Sequence, residues 1–311
     1  MQDVDVLIIG GGPAGISAAI WCKRLGINHL LVEEKEALGG QLSMIHNRII
    51  DYPGLIARDG EEMRKIFLKH VHTLQCRYQL NTRVLEIDGR RYATVETRGQ
   101  KEAIRFRYLI FAAGAIQKRL GIPGEKEMLA RGENYSATRD SCLFKGKTVA
   151  VAGGGDRAFE GAILLAEAGA RVYLINRSGR FKARSGYITR AKACENIHLL
   201  IETRVTEIAG EDKVEAVELV NQSGDVSYLP VSAVFIRIGT KPNSALVKEL
   251  VETDENGYIV SGPSGNTSCE WLYAIGDNCL GPHYSSIAGA AGQGAAAAKH
   301  IASLLTGHIV H

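Results

Sequence analysis

The chain has 311 residues, with 37 basic against 34 acidic side chains and a formal charge of +3 at neutral pH. So small and dispersed a surplus argues against a nucleic-acid surface, and no apolar run reaches the length of a membrane helix, which leaves only peripheral membrane contact open. The six cysteines (Cys22, Cys76, Cys142, Cys194, Cys269 and Cys279) contain no C-x-x-C, zinc spacing or secreted framework, so a metal centre and a disulfide scaffold are both set aside.

The first predicted strand begins by Val4, too early for a cleavable leader to precede it, and the expectation is a cytoplasmic chain. That strand runs into a glycine turn: Asp5-Val-Leu-Ile-Ile-Gly10-Gly11-Gly12-Pro13-Ala14-Gly15, followed by an apolar helix. The pattern is the dinucleotide fingerprint G-x-G-x-x-G. Its first glycine permits a tight turn, its second lets backbone amides reach a pyrophosphate, and its third lets helix and strand pack closely. The next strand, Leu30-Leu31-Val32, ends in Glu33, whose carboxylate can accept from both hydroxyls of an adenosine ribose. Such a site suits a dinucleotide with a free 2′-hydroxyl, such as FAD.

Two turn segments follow, Gly39-Gly40-Gln41-Leu42 and Asp51-Tyr52-Pro53-Gly54, and then strands over Thr82 to Ile87 and Tyr92 to Thr97. A buried strand is predicted from Tyr108 to Gly114, ending in Ala112-Ala113-Gly114. The fingerprint then recurs 143 residues after its first copy, as Thr148-Val-Ala-Val-Ala-Gly153-Gly154-Gly155-Asp156-Arg157-Ala158. One such motif is weak evidence; two in strand–turn–helix context argue for two dinucleotide sites. At the second ribose position stands Asn176, after Val172 to Ile175, with Arg177, Arg180, Lys182 and Arg184 beyond it. These cations suit a 2′-phosphate and hence NADPH, whereas Asn176 also tolerates the unphosphorylated ribose of a second FAD; a solvated basic loop is the plainer alternative.

Strands over Val234 to Gly239 and Leu272 to Asp277 and an alanine-rich helix over Ser286 to Leu305 complete the pattern. The expected fold is α/β, with two Rossmann-like three-layer dinucleotide-binding domains, the second inserted into the first. The first domain would comprise residues 1–114 and 244–311, the second 115–243, each with an antiparallel meander as its crossover.

Gly10-x-Gly12-Pro-Ala-Gly15, Gly39-Gly-Gln-Leu42, Tyr52-Pro-Gly54, Ala112-Ala-Gly114, the second glycine turn and Gly276-Asp277 together resemble the low-molecular-weight thioredoxin reductases. These are FAD- and NADPH-dependent disulfide oxidoreductases, and the resemblance covers essentially the whole chain. It implies that Glu33 holds the FAD ribose, Gln41 lies along the cofactor and Asp277 bonds the ribityl chain. Glu34, Gly40, Leu42, Asp51, Ala113, Gly114 and Gly276 would line the same site. The last helix would aim the amides near Ser286 and Ile287 at the flavin, where its dipole favours the charge of the reduced ring. A homodimer is also implied.

The chain departs from that family where its dithiol belongs. The expected Cys-Ala-Thr-Cys-Asp reads Ser136-Ala137-Thr138-Arg139-Asp140, so the usual route to thioredoxin is absent. Arg157 replaces a small hydroxyl residue, where it would clamp a pyrophosphate or crowd the nucleotide. Cys142 and Cys279 are the candidate replacement pair, Cys279 with a thiol pKa lowered by the nearby helix terminus; the alternative is that both are small buried hydrophobes. His283 is placed to cap the last helix or to donate to the flavin. The expected function is electron transfer between FAD, a second dinucleotide (NADPH, or a second FAD as in diflavin-linked relatives) and a small redox carrier or thiol/disulfide substrate. A ferredoxin- or flavodoxin–NADP reductase of the same fold, and a non-catalytic flavin or nucleotide sensor, stand as alternatives.

Overall fold

The computed structural model describes residues 2–282 and 284–307; His283 lies outside the described residues. From the N-terminus run β1 (Gln2–Ile9), α1 (Pro13–Arg24), β2 (His29–Val32), β3 (Ile49–Tyr52), β4 (Leu55–Ala57) and α2 (Gly60–Thr73). Then come β5 (Tyr78–Gln79), β6 (Thr82–Ile87), β7 (Tyr92–Thr97), β8 (Gln100–Phe111), β9 (Ala115–Gln117), α3 (Glu125–Ala130) and α4 (Ala137–Asp140). The middle of the chain forms β10 (Thr148–Ala152), α5 (Asp156–Glu167), β11 (Arg171–Asn176), α6 (Ser185–Lys192) and β12 (Ile197–Ile201). A meander of β13 (Arg204–Ala209), β14 (Ala216–Val220) and β15 (Val226–Pro230) follows, with β16 (Val234–Ile236), β17 (Thr240–Pro242), β18 (Leu272–Ala274) and α7 (Ile287–Thr306) last.

These elements cluster into two compact units, one built from the segments up to Ile116 and from Lys241 onward, the other from Gln117–Thr240. The chain thus leaves the first unit within β9 and returns within β17; the sequence pattern expects crossings near 115 and 243.

In the first unit, β5, β2, β1 and β8 lie side by side, with β18 on the far side of β8, all parallel, and β6 and β7 extend the sheet antiparallel. Successive residues of a strand point to opposite faces, and here both faces are buried. Val6, Ile8, Leu31 and Ile110 pack against α1, α2 and α7 on one side. Leu7, Ile9, Leu30, Leu109 and Phe111 pack on the other, against β7, the start of β8 and the segment carrying Val247 and Ile259. This is why the parallel strands read as unbroken apolar runs.

Two elements differ from the sequence expectation. The strand predicted from Tyr108 begins at Gln100, because its first half pairs antiparallel with β7 and alternates buried Ile104 and Phe106 with exposed Arg105 and Arg107. The strand predicted through Asp277 stops at Ala274: Gly276 turns at φ +79° into a 3₁₀ turn over Gly276–Asn278.

The second unit repeats the plan on a smaller scale. Its parallel sheet has the order β12-β11-β10-β16. Val149, Val151, Val172, Leu174 and Phe235 face α5 and α6, while Ala150, Ala152, Ile175 and Ile236 face the separate β13–β14–β15 sheet.

The packing of α1 on α7 in the first unit is set by small residues. A Cβ at Gly294 would lie 2.8 Å from the Ala18 amide and 2.9 Å from Ser17 Cβ, and would run into the Ala14 carbonyl. Ser17 adds a hydroxyl bond of 2.6 Å to the Ala291 carbonyl. Gly294→Ala is therefore expected to destabilise the chain by about 1–3 kcal/mol through overpacking. Gly292, exposed on the same helix with nothing near its missing Cβ, should gain about 0.8–1 kcal/mol on substitution by alanine. Thermal melts of the two variants check this, and equal shifts would contradict it.

Candidate functional site

The glycine turn of the first unit is determined by its surroundings, one residue at a time. Gly10 sits at φ +106°, and any Cβ there would strike the Ala112 carbonyl of the neighbouring strand. Gly15, one turn into α1, allows the helix to press on the Gly10 carbonyl. Gly12 is different, since its nearest would-be neighbour is Gly40 Cα at 4.0 Å. Protein packing does not require a glycine there, whereas a pyrophosphate resting on the backbone does. Pro13 opens α1 and Ala14 is buried behind it, leaving the first-turn amides directed outward.

Glu33 lies at the end of β2 with 9% exposure. One carboxylate oxygen accepts from the Gly11 amide at 2.6 Å and the other from the Lys35 amide at 3.0 Å. A carboxylate keeps further lone pairs after two such bonds, so Glu33 is held in place and still able to accept from ribose hydroxyls. Gly11, which the sequence reading passed over, is the residue that fits against it: a Cβ there would come within 3.0 Å of Glu33 Oε2.

Elsewhere in the first unit, Gln41 Nε2 donates to Asp277 Oδ2 at 2.9 Å, so residues 236 positions apart meet, a contact that the sequence did not announce. Gln41 also reaches the Ala115 carbonyl, beside Gly114 at φ +67°. Leu42 is buried against Ile49, Ala57 and Met63, Gly40 turns at φ +54° and Ala113 is half-buried. Glu34 and Asp51 are exposed.

Gly276 donates to Gln293 Oε1 at 2.7 Å, which ties the Asp277 turn to α7. Ser286 caps α7 by accepting from the Gly289 amide at 2.9 Å, so the first-turn amides of Ile287 and Ala288 lie ahead of the cap. Asn278, also missed in the sequence, is fully buried. Its Nδ2 donates to the Phe111 carbonyl at 2.9 Å, and its Oδ1 has no partner. No sequence signal marks it, because an asparagine after Gly-Asp reads as an ordinary turn residue.

The second unit builds its turn in the same way. Gly153, at φ +147°, abuts the Arg237 carbonyl, and Gly154 abuts Asn176, with Cγ 2.8 Å from its missing Cβ. Gly155 has nothing within 4 Å, the same open position as Gly12.

The ribose end, however, has changed character. Asn176 is buried and donates through Nδ2 to the Ser178 carbonyl at 2.7 Å and the Arg180 carbonyl at 3.1 Å. It closes the basic loop instead of offering an acid. Asp156 accepts from Arg184 twice, at 2.7 Å from the backbone amide and 2.7 Å from Nε. That pair takes Arg184 out of the free cations and leaves Asp156 anchoring the loop. Lys182 is exposed, and its amide donates to the Gly154 carbonyl at 2.8 Å. Arg177 lines a cavity of about 430 Å³ together with Arg204, Ser178, Glu202, Asn221 and Gln222. Arg204, on β13, could not be assigned to this site before the meander was known to close over the end of β11.

The Ser136–Asp140 segment holds an ion pair where the family resemblance implies thiols. Arg139 grips Asp140 with Nε and Nη2, both at 2.7 Å, and the same carboxylate accepts from the Ser136 amide at 2.8 Å. Cys142 follows as an exposed free thiol in the second unit, whereas Cys279 is a half-buried free thiol in the first.

The expected lowering of the Cys279 pKa is corrected by the structure. Its Sγ donates to the Gly276 carbonyl at 3.2 Å and the Ala274 carbonyl at 3.4 Å, and burial pushes the thiol above its ordinary range. Desolvation outweighs the hydrogen bonds with Ser261 and Gln293, which act in the opposite direction. Burial likewise raises Cys76 and Cys269 and pushes Cys22 up to about 12. Among the described residues no group of histidines, cysteines and carboxylates could hold a metal, and no helix is long and apolar enough to cross a membrane.

Comparison with known proteins accords with this geometry. The profile of the pyridine nucleotide-disulphide oxidoreductases matches residues 4–294. The thioredoxin reductase of Bacillus subtilis (strain 168) is 36% identical over 88% of this chain and 86% of its own length. That of Mycolicibacterium smegmatis is 35% identical over 94% of each. The crystal structure of Lactococcus lactis thioredoxin reductase in its FR conformation superposes with a TM-score of 0.83 at 30% identity, covering 98% of this chain and 100% of that one. The chain therefore belongs to the pyridine nucleotide-disulphide oxidoreductase family, in its low-molecular-weight thioredoxin reductase-like branch.

Proposed function

We propose that the chain is an FAD- and NADPH-dependent oxidoreductase that exchanges electrons with a small redox carrier or a thiol/disulfide substrate without an internal C-x-x-C. The observation that carries this reading is the pairing of two glycine turns, each with one glycine left open by the protein, to two ribose ends of opposite charge. Glu33 is an acceptor suited to free hydroxyls, and Arg177 and Arg204 flank a cavity suited to a phosphate. That asymmetry favours NADPH over a second FAD in the second unit.

FAD, when bound, supplies a two-electron carrier able to accept a hydride from a nicotinamide. The protein's part is to hold and orient. Glu33 would bind the adenosine ribose, the Gly12 turn would bring α1 amides to the pyrophosphate, and the Gln41–Asp277 pair would steady the ribityl end. The positive end of α7, at Ile287 and Ala288, would favour negative charge on the ring.

The partner thiol or disulfide would come from outside the chain. Asp140, bound in two places by Arg139, is poorly suited to proton donation. The buried, hydrogen-bonded thiol of Cys279 makes a Cys142–Cys279 route the less supported alternative. Met44, Ile50 and Ile56, exposed at 60%, 70% and 60% in the first unit, support self-association as a homodimer.

Two outcomes are expected. Glu33→Ala should lower FAD affinity by about 1–3 kcal/mol, because the ribose hydroxyls lose their acceptor; dialysis against a flavin-free buffer reads the loss, and equal retention by variant and parent would refute the site. NADPH-driven reduction of thioredoxin should not run through residues 136–140. The double variant Ser136→Ala, Arg139→Ala should leave any measured turnover unchanged, and turnover abolished by it would contradict the assignment.

A further inference from the structure

Arg237 stands at the C-terminal end of β16, where the parallel strands of the second unit open towards the glycine turn. Its amide donates to the Ala152 carbonyl at 2.7 Å, and its own carbonyl is the atom that forces glycine at position 153. The side chain lies back over the ring of Phe235, 5.9 Å from its centroid. Nη1 donates to the Ile236 carbonyl at 2.8 Å and Nη2 to the Tyr135 carbonyl at 3.0 Å. A guanidinium has five N–H donors, so these two bonds leave most of its capacity free, and both acceptors are neutral.

Among the described residues, the ion pairs include neither Arg237 nor Arg157, the second residue of α5. Both arginines border one turn, since a Cβ at Gly153 would meet the Arg237 carbonyl on one side and, at 3.1 Å, the Cβ of Ala158 next to Arg157 on the other, and Arg157 is the charge that acts on Arg237. Burial first, and then this like charge, draw the Arg237 guanidinium below its ordinary range. A half-buried arginine that shares a turn with a second arginine, and that has no carboxylate paired to it among the described residues, is costly unless an anion completes it. The anion's place is indicated by what lies beside the pair: the open Gly155 and the amino end of the twelve-residue helix α5.

We propose that Arg237 and Arg157 form a two-guanidinium clamp for the diphosphate of the nucleotide bound by the second unit, with Arg237 as the residue that makes the diphosphate a condition of tight binding. The inference rests on the reading of that unit as a dinucleotide site. Two forks match two phosphates. The clamp lies at the glycine turn, apart from the Arg177–Arg204 cavity at the ribose end, so the two ends of the nucleotide are read by separate pairs of arginines.

The test is calorimetric titration of the full-length, flavin-loaded protein with two probes. ADP carries the diphosphate; adenosine 2′-monophosphate lacks it and engages the ribose end. Arg237→Gln and, separately, Arg157→Gln should each weaken ADP binding roughly tenfold to hundredfold while leaving adenosine 2′-monophosphate within about twofold. Arg237→Lys, which keeps the charge and loses the fork, should recover part of the loss. ADP binding unchanged in both glutamine variants overturns the clamp and leaves the dinucleotide reading intact. Equal loss of both probes also overturns it, since Arg237 would then support the site's shape and not the diphosphate. A parent protein that binds neither probe refutes the dinucleotide reading itself, and the clamp with it. Because Arg157 is exposed on the helix surface, its variant keeps the test decisive if Arg237→Gln folds poorly.

Discussion

The structure depends on a steric condition met twice: the turn after the first strand of each unit must be backbone alone. At Gly10 and Gly153 the neighbouring strand's carbonyl occupies the space a side chain would need, and the backbone adopts a conformation that L-residues rarely tolerate. Because the turn is that tight, the following helix starts close over the strand ends with its amides directed outward. The parallel sheets, the apolar strands buried on both faces and the small residues between α1 and α7 all follow from keeping that helix in place. The same condition leaves Gly12 and Gly155 as the positions where the protein itself imposes nothing.

Upon this shared geometry the two units place opposite electrostatics. In the first, a nearly buried carboxylate is satisfied by two backbone amides and retains acceptor capacity, so the charge is held without a cation that would neutralise it. In the second, an amide that donates stands at the corresponding position, and Arg177 and Arg204 line a cavity at that end together with Glu202. Two of the cations predicted from sequence turn out to have different duties: Arg184 is spent on Asp156, whereas Arg177 lines a cavity. Arg139 and Asp140 are paired in the same way within the Ser136–Asp140 segment. There a guanidinium and a carboxylate bind each other through two bonds of 2.7 Å.

Much of this was legible before any coordinates. The internal repeat revealed both glycine turns, and its offset aligned Glu33 with Asn176. The resemblance singled out Gln41 and Asp277 separately, but their contact stayed hidden, since no local pattern links residues so far apart. What stayed hidden depended on tertiary closure. Arg237 looks like a polar interruption in an apolar strand, and only the adjacency of β16 and β10 brings it to the turn. Arg204 belongs to a meander whose position over the strand ends has no sequence signature. Cys279 was misread because proximity to a helix terminus is visible in a sequence and the depth of burial is not. The first half of β8 was missed because its exposed charges alternate with buried residues, a period-two pattern attached to a buried parallel half.

The central claim is that one chain carries two dinucleotide sites of different chemistry, and native mass spectrometry in the presence of excess NADPH tests it most directly. The account predicts one FAD and one NADPH per chain, with FAD retained and NADPH lost when the nucleotide is removed. A chain saturated with NADPH that carries a single FAD and nothing else, or one that carries two FAD molecules, would contradict it.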